Sequence, residues 1–294
     1  MLKPQFVKPC QQKKRTAAAA TTPAAAALTN AAPVFSDHAA AFSPRQTAAF
    51  VLTDDDLDEA MVFLRQRPVH TVMMMSFIND NGLSSCEVNR GEFYGSRSAA
   101  DGRLDGVALL GHTTLVEARS ENALRALAAA ARKSAVPIKL MMSDGKNIEA
   151  FWRYFSAGDC RPPRLTCEER LFQISAPFLV RHSNWNARPA AAGELEPVAA
   201  AHAEIAFAES GINPLEADRE GFLRRARRRI CLGRTFVVFE NERLIFKADI
   251  AAQTGDVIYL EGIYVAPEER GRGVGSQCLA KLSQRLLRNT RHVC

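Results

Sequence analysis

No uninterrupted apolar run in this 294-residue sequence approaches the roughly 18 residues that span a bilayer, so no transmembrane helix is expected. Seven cysteines are present (Cys10, Cys86, Cys160, Cys167, Cys231, Cys278 and Cys294), and none forms a C-x-x-C pair or a metal-ligand spacing. An odd, scattered set of this kind reads as reduced thiols in a cytoplasmic protein. The six histidines are equally dispersed, which leaves a metal site without support.

What is present has the composition of a globular protein, with 47% hydrophobic and 24% charged residues. A formal net charge of +6 favours acidic partners such as phosphates, and by itself argues only weakly for nucleic acid. Lys13, Lys14 and Arg15 precede an alanine-rich tract, but Pro23, the interleaved threonines and the weak hydrophobicity of alanine make a poor signal-peptide core. Residues 1–52 therefore read as a flexible, low-complexity leader.

Order is expected from Thr53, where Asp54, Asp55 and Asp56 suit the positive end of a helix dipole. Leu57, Ala60, Met61 and Leu64 then recur at helical spacing, with Pro68 as a stop, and a short helix is predicted over Val72 to Ile78. Met73, Met74 and Met75 read as core filling. From Gly91 the pattern turns to strands at 92–96, 104–110 and 114–117, with Asp101-Gly102 a hairpin turn. A helix over 122–133, a short strand over 138–142, a helix after Asp144 and a strand over 165–174 complete a domain at 53–176. Gly158 and Arg161-Pro162-Pro163 are expected to end that last helix. Residues 177–192 read as a linker, on Pro177, the polar run 182–184 and Pro189. A second domain, 193–294, opens with helices over 194–209 and 216–230, then strands over 235–240, 244–251 and 257–265, and a closing helix over 273–287. Alternation of this kind indicates an α/β (α+β) protein with mixed, mostly antiparallel sheets flanked by helices.

Between the strand ending at Val265 and the closing helix stands VAPEERGRGVGS, residues 265–276. A glycine-rich turn from strand to helix is a place to hold an anion, because the first helical N–H groups lack internal partners and the dipole adds positive potential. Gly271, Gly273 and Gly275 remove side chains that would bar a phosphate from the backbone, and Arg270 and Arg272 add positive charge. A pyrophosphate-bearing cofactor is the physical expectation. A Walker loop requires Gly-Lys-Ser/Thr at the helix start, and here the residues are Gly275-Ser276-Gln277. A dinucleotide fingerprint requires G-x-G-x-x-G and an acid on a following strand, which G-x-G-x-G does not provide.

Arg270-Gly271-Arg272-Gly273-Val274-Gly275 resembles motif A of the GNAT acyltransferases, and the preceding Tyr264 to Glu269 looks like that family's strand end and turn. The resemblance extends as a pattern over about residues 193–290. It implies acetyl-CoA as acyl-donor substrate, no metal, and an amine-bearing small molecule or protein as acceptor, acetylated by direct attack. It also implies that backbone amides of Arg270, Gly271, Arg272, Gly273, Val274 and Gly275 hold the pyrophosphate, and that Ile263, Tyr264 and Val265 pair with the pantetheine arm. Glu261, on the strand leading to the loop, is the implied general base, and the Val265 amide the implied oxyanion donor. Glu209 and Asn213, at the bend between the first two helices of this domain, are possible acceptor contacts by the same resemblance.

The first domain has no such loop, yet its order of elements resembles the back portion of the same fold. It reads as a degenerate copy in front of the acyl-CoA N-acyltransferase-like domain, similar to two-domain bacterial acetyltransferases. The family fold continues with a fifth strand and a helix carrying a tyrosine acid. Only Arg291 to Cys294 are here to begin that strand, so the second domain is expected to be incomplete and the edge of strand 257–265 unpaired. A CoA-binding protein without turnover remains an alternative. So does a basic module using Arg224, Arg225, Arg227, Arg228 and Arg229 on a nucleic acid, although nucleic acid is not the expected partner. Oligomeric state and acceptor identity stay open.

Overall fold

A computed structural model describes residues 48–84, 91–157, 163–177 and 185–294. The leader up to residue 47, Cys10, Cys86, Cys160, the break at Gly158 and Arg161-Pro162, and linker residues 178–184 lie outside the described residues.

Strand β1 (Phe50–Val51) pairs antiparallel with β2 (Gly91–Arg97), so the sheet begins before the expected start at Thr53. Thr53 then opens a turn over Asp54–Asp56, donating its amide and hydroxyl to the Asp56 carboxylate at 3.0 and 3.2 Å. Helix α1 (Leu57–Arg65) follows, and α2 (Pro68–Asn81) starts at the proline expected to end its predecessor. A first-turn N–H has no helical partner to lose, so proline initiates here as readily as it terminates. Met74 and Met75 pack in the core with Leu64, Phe93 and Leu109.

Strands β2, β3 (Leu104–Gly111) and β4 (Thr113–Ala118) run antiparallel. Ser120 caps α3 (Glu121–Lys133), accepting the Ala123 amide at 3.2 Å. Strand β5 (Leu140–Met142) returns parallel to β4, and Asp144 caps α4 (Gly145–Phe155). The order is β1-β2-β3-β4-β5. Alternate residues of β3 face opposite layers, Val107 and Leu109 toward α1 and α2, Ala108 and Leu110 toward α3 and Phe151.

The strand expected over 165–174 shrinks to β6 (Ile174–Ser175). Glu168, Glu169 and Arg170 stand in a row and leave no apolar face for a partner sheet to cover, and 163–173 is exposed and irregular.

The second sheet opens inside the expected linker, with β7 (Arg188–Pro189) on β8 (Thr235–Glu240). Between them lie α5 (Leu195–Ser210), α6 (Pro214–Ala217) and α7 (Arg219–Cys231). Strands β9 (Arg243–Gln253) and β10 (Val257–Val265) continue antiparallel, and α8 (Val274–Leu286) leads to β11 (His292–Val293), parallel to β10. β6 pairs antiparallel with β11, giving the order β6-β11-β10-β9-β8-β7. Phe236, Phe246, Ala248 and Ile250 face Cys278, Leu282 and Leu286 of α8, while Val237 and Leu244 face Val198, Ala226 and Ile230.

The two sheets repeat one plan. Each has an edge strand, helices, three antiparallel strands, a helix and a parallel strand. They meet through α2, where Val72 packs on Ala252 and Val257, the Ser76 hydroxyl accepts the Gln253 amide at 3.1 Å, and Arg234 grips Asp80 at 2.6 and 2.8 Å. From Gln46 to Cys294 the chain forms one compact unit.

Candidate active site

β10 carries the expected site residues and is irregular where they lie. Its register on β9 passes from Glu261↔Asp249 to Tyr264↔Lys247, so Gly262 and Ile263 face only Ala248. One residue is therefore extra, which is a β-bulge. Gly262 takes φ of 59°, in the left-handed region that favours glycine. β11 pairs with β10 only at Val257 and Ile258, and the backbone bonds run from the His292 amide to Asp256 and the Cys294 amide to Ile258 as far as the Leu260 amide to the Cys294 carbonyl. The edge expected to be open along 257–265 is thus covered at its start, and among the described residues no strand pairs with its far end. Beyond the bulge, the Ala266 amide donates to Ile245 on β9 at 2.9 Å. Alternation turns the amide and carbonyl of Val265 the other way, where the carbonyl accepts Arg270 Nε at 3.0 Å.

The loop after β10 makes a short turn at Pro267–Glu269 and reaches Gly273, the N-cap of α8, at φ of 78°. The Gln277 amide is the first to find a carbonyl one turn back, that of Gly273, at 3.1 Å. Val274, Gly275 and Ser276 precede it, so their amides point out of the helix end, and Gly273 has no side chain to cap them. A Cβ on Gly275 would stand 2.7 Å from Val265 Cγ2, so glycine lets α8 lie against β10. A Cβ on Gly271 would meet nothing within 4 Å, so the loop borders open space. These amides fit a pyrophosphate group. The two loop arginines are used differently from the sequence expectation. Arg270 turns to Val265 and Glu204 (2.9 Å), and Arg272 to Glu269 (2.7 Å), which Arg243 also holds. They brace the loop.

Glu261 leaves 39% of its side chain exposed while its flanks are packed, and that packing raises its carboxyl above the usual range. Arg229 Nη2 stands 3.9 Å from it and opposes the rise. Beneath lie Lys247 and Asp249, whose side chains are fully buried and 2.5 Å apart. Asp249 also accepts from Thr235 at 2.7 Å and Arg229 at 2.9 Å. Lys247 Nζ donates to the Gly262 carbonyl at 3.1 Å. His202 completes the group, its Nδ1 accepting from Arg229 at 3.3 Å, and burial holds its pKa down to about 4. Nothing in the sequence reading singled out Lys247, Asp249 or His202. The signal for Lys247 and Asp249 was two opposite charges, two residues apart, within the otherwise apolar Leu244 to Ile250.

Glu209, near the end of α5, shares the field of Glu261 and Glu169, and burial raises its carboxyl. Asn213 is engaged elsewhere. It caps α6, accepting the Leu215 amide at 3.1 Å and donating to Glu216 at 2.8 Å. Tyr259, two residues before Glu261, is pushed up to about 12 by burial and nearby carboxylates, and so stays protonated. Of the arginine cluster on α7, Arg229 points inward, while Arg224 and Arg225 pair with Glu220 and Asp218 on the surface. Arg225 and Arg229 line a recess of about 240 Å³ with His202, Ala206, Pro214 and Phe222.

The first copy differs at the matching place. Between β4 and α3 stand only Arg119 and Ser120, with no glycine. The carbonyls of Val116 and Ala118 take the side chains of Ser143 (2.6 Å) and Asn147 (3.1 Å). Buried Glu117 is held by Arg119 and by Arg67 (3.0 Å), which also binds Asp144 at 2.8 Å. Side chains thus occupy the β4 edge that β10 leaves open.

Among the described residues no group of acids, histidines and cysteines is arranged to hold a metal ion, and no helix is long and apolar enough to cross a membrane. The model of the Acetyltransferase (GNAT) family matches residues 199–293. No curated protein matches the chain. Three solved structures illustrate the likeness. A GCN5-related N-acetyltransferase from Kribbella flavida is 23% identical over 36% of this chain, with a TM-score of 0.29, and the match spans only 28% of that protein. A Drosophila protein is 14% identical, over 84% of this chain and 88% of its own, with a TM-score of 0.54. A tandem GNAT protein from the clavulanic acid biosynthesis pathway is 13% identical, over 83% and 88%, with a TM-score of 0.41. At 14% identity the likeness to the Drosophila protein concerns fold alone. With the glycine loop, the bulged strand and the family match on the same residues, the segment 199–293 is a domain of the acetyltransferase (GNAT) family.

Proposed function

We propose that this chain is an N-acetyltransferase that moves an acetyl group from acetyl-CoA to a primary amine by direct attack. One observation carries the reading, namely the run from the bulge in β10 to the glycine-capped start of α8. It sets outward amides at 274–276, an outward Val265 amide and the Glu261 carboxyl along one strand edge.

In this reading the amides from Arg270 to Gly275 hold the pyrophosphate, and the free edge at Ile263, Tyr264 and Val265 pairs with the pantetheine arm. The acceptor nitrogen forms a bond to the thioester carbonyl carbon, and the carbonyl oxygen gains charge that the Val265 N–H stabilises. Glu261 takes the ammonium proton, directly or through water. Collapse breaks the carbon–sulfur bond, and the thiolate leaves and is then protonated. Burial raises the Glu261 carboxyl, which brings its affinity for a proton closer to that useful in a base near neutrality. Glu209 shares the field of Glu261 and supports an acceptor approaching from that side, whereas the capping role of Asn213 leaves it less to offer. The thiols of Cys231, Cys278 and Cys294, outside any disulfide, accord with a reducing, cytoplasmic compartment.

Titration calorimetry with acetyl-CoA, followed by a turnover assay over a panel of amines, tests the reading. Binding and turnover are expected, with Glu261→Gln lowering kcat by about 100-fold or more. Binding without turnover would leave a CoA-binding protein, and no binding at all would overturn the proposal.

A further inference from the structure

The buried pair under β10 is used by neither the loop nor the acyl-transfer chemistry, and its geometry reaches both. We propose that Lys247 and Asp249 form a positioning pair for the site: the lysine ammonium pins the Gly262 carbonyl within the bulge, and the aspartate holds Arg229 against Glu261. The inference rests on the reading of Glu261 and Val265 given above and assigns what keeps them in place.

Three contacts support it. Lys247 Nζ bridges Asp249 Oδ2 (2.5 Å) and the Gly262 carbonyl (3.1 Å), although the two strands carry Gly262 and Asp249 out of register. Gly262 makes the approach possible, since a Cβ there would stand 3.0 Å from Nζ and 3.1 Å from Asp249 Oδ2. Arg229 spans Asp249 (2.9 Å) and Glu261 (3.9 Å), so one guanidinium ties the buried anion to the carboxylate at the surface.

The bulge decides which way β10 presents its groups. An extra residue shifts the alternation, so that Glu261 stands opposite Asp249 while the Val265 amide faces the open edge. A bulge at a strand edge is free to relax, and a buried cation hydrogen-bonded to its carbonyl removes that freedom. The ion pair is a poor choice for stability alone, because apolar side chains of similar volume commonly do as well in such a position. Its position beneath the bulge is what a purely structural role leaves unexplained. Charged and titratable groups facing Glu261 are Arg229 on α7, Lys247 and Asp249 on β9, Glu209 on α5, Tyr259 on β10 itself and Glu169 in the irregular segment. Removing Lys247 takes away a cation from this set and loosens the bulge together.

The test records the Glu261 carboxyl by carbon-detected NMR on the full chain, labelled at glutamate and assigned with Glu261→Gln, in the absence of any substrate. In Lys247→Met the Glu261 midpoint is expected to rise by about 1 pH unit, a tenfold change in its dissociation constant. The amide signals of Gly262 to Val265 are expected to move with it. The double variant Lys247→Met/Asp249→Leu removes both fully buried charges and leaves Arg229 to Glu261 and His202; it is expected to fold where the single one fails and to displace the same amides. Unchanged amides from Gly262 to Val265 in either folded variant, or an unmoved Glu261 midpoint in Lys247→Met, would overturn the proposal. A wild type that binds no acetyl-CoA would sink the proposed activity and still leave this titration readable.

Discussion

Replacing His202 by glutamine should flatten part of the pH dependence of folding. His202 lies on α5, edge-on to Phe222 at 5.4 Å, with Arg229 donating to its Nδ1. Only a ring unprotonated at that nitrogen accepts this bond. Burial, aided by the positive charges of Lys247, Arg229 and Arg225 and opposed by Asp249, lowers its pKa from 6.5 to about 4. Between those values the unfolded chain binds a proton that the folded chain refuses, so stability rises with pH across that window. Its contribution is fully present above about pH 6.5 and is lost as pH falls toward about 4. At about 1.4 kcal/mol for each tenfold change, the whole window is worth about 3 kcal/mol. Asp249, whose carboxyl is lowered, adds dependence of the same sign at lower pH, whereas the raised carboxyl of Glu261 adds the opposite sign. The difference between wild type and His202→Gln isolates the histidine. Urea unfolding of both proteins at steps from about pH 4 to about pH 7 should show that difference growing by about 3 kcal/mol toward neutral pH. A difference constant to within about 0.5 kcal/mol over that range would refute the reasoning.

Two further outcomes follow from the same region. Asp249→Ala leaves buried Lys247 without its anion and should cost about 3–5 kcal/mol in urea unfolding, while Lys247→Met/Asp249→Leu should come close to wild type. Equal losses in the two variants would count against the burial argument. Gly275→Ala places a Cβ 2.7 Å from Val265 Cγ2 and pushes α8 off β10. Overpacking of about 1–3 kcal/mol should weaken acetyl-CoA binding by about tenfold, read by calorimetry, and unaltered affinity would show that the loop does not depend on that contact.

The second copy was the more legible half in sequence because its signals are local. A strand pattern, three glycines and an apolar stripe at Cys278, Leu282 and Leu286 fix β10, the loop and α8 within a residue or two. The two-residue strands β1, β6 and β7 were not legible, since each exists only through a partner far along the chain and has no room to show a period. Pro68 misled for a different reason, because one residue type both ends and begins helices. The site was half visible. Glu261 and the loop follow from motif and position, but Lys247 in a strand carries no mark of being buried until the bulge places a carbonyl above it. Arg270 and Arg272 read in sequence as positive charge beside the loop, and their acidic partners Glu204 and Glu269 become neighbours only in the fold.

The pairing of β6 with β11 bears on the order in which the molecule assembles. Ser175 and His292 meet across 117 residues of chain, and each strand offers only two residues to the other. Closing so long a loop for so few contacts is favourable only after the intervening sheet has formed, because entropy is lost before enough bonds repay it. β8, β9 and β10, joined by short turns, therefore come together early, and the β6–β11 border closes last and opens first. Amide exchange at Ile174 and Val293 should accordingly report local opening well below the global unfolding free energy, while exchange at Phe246 and Ala248 tracks the whole.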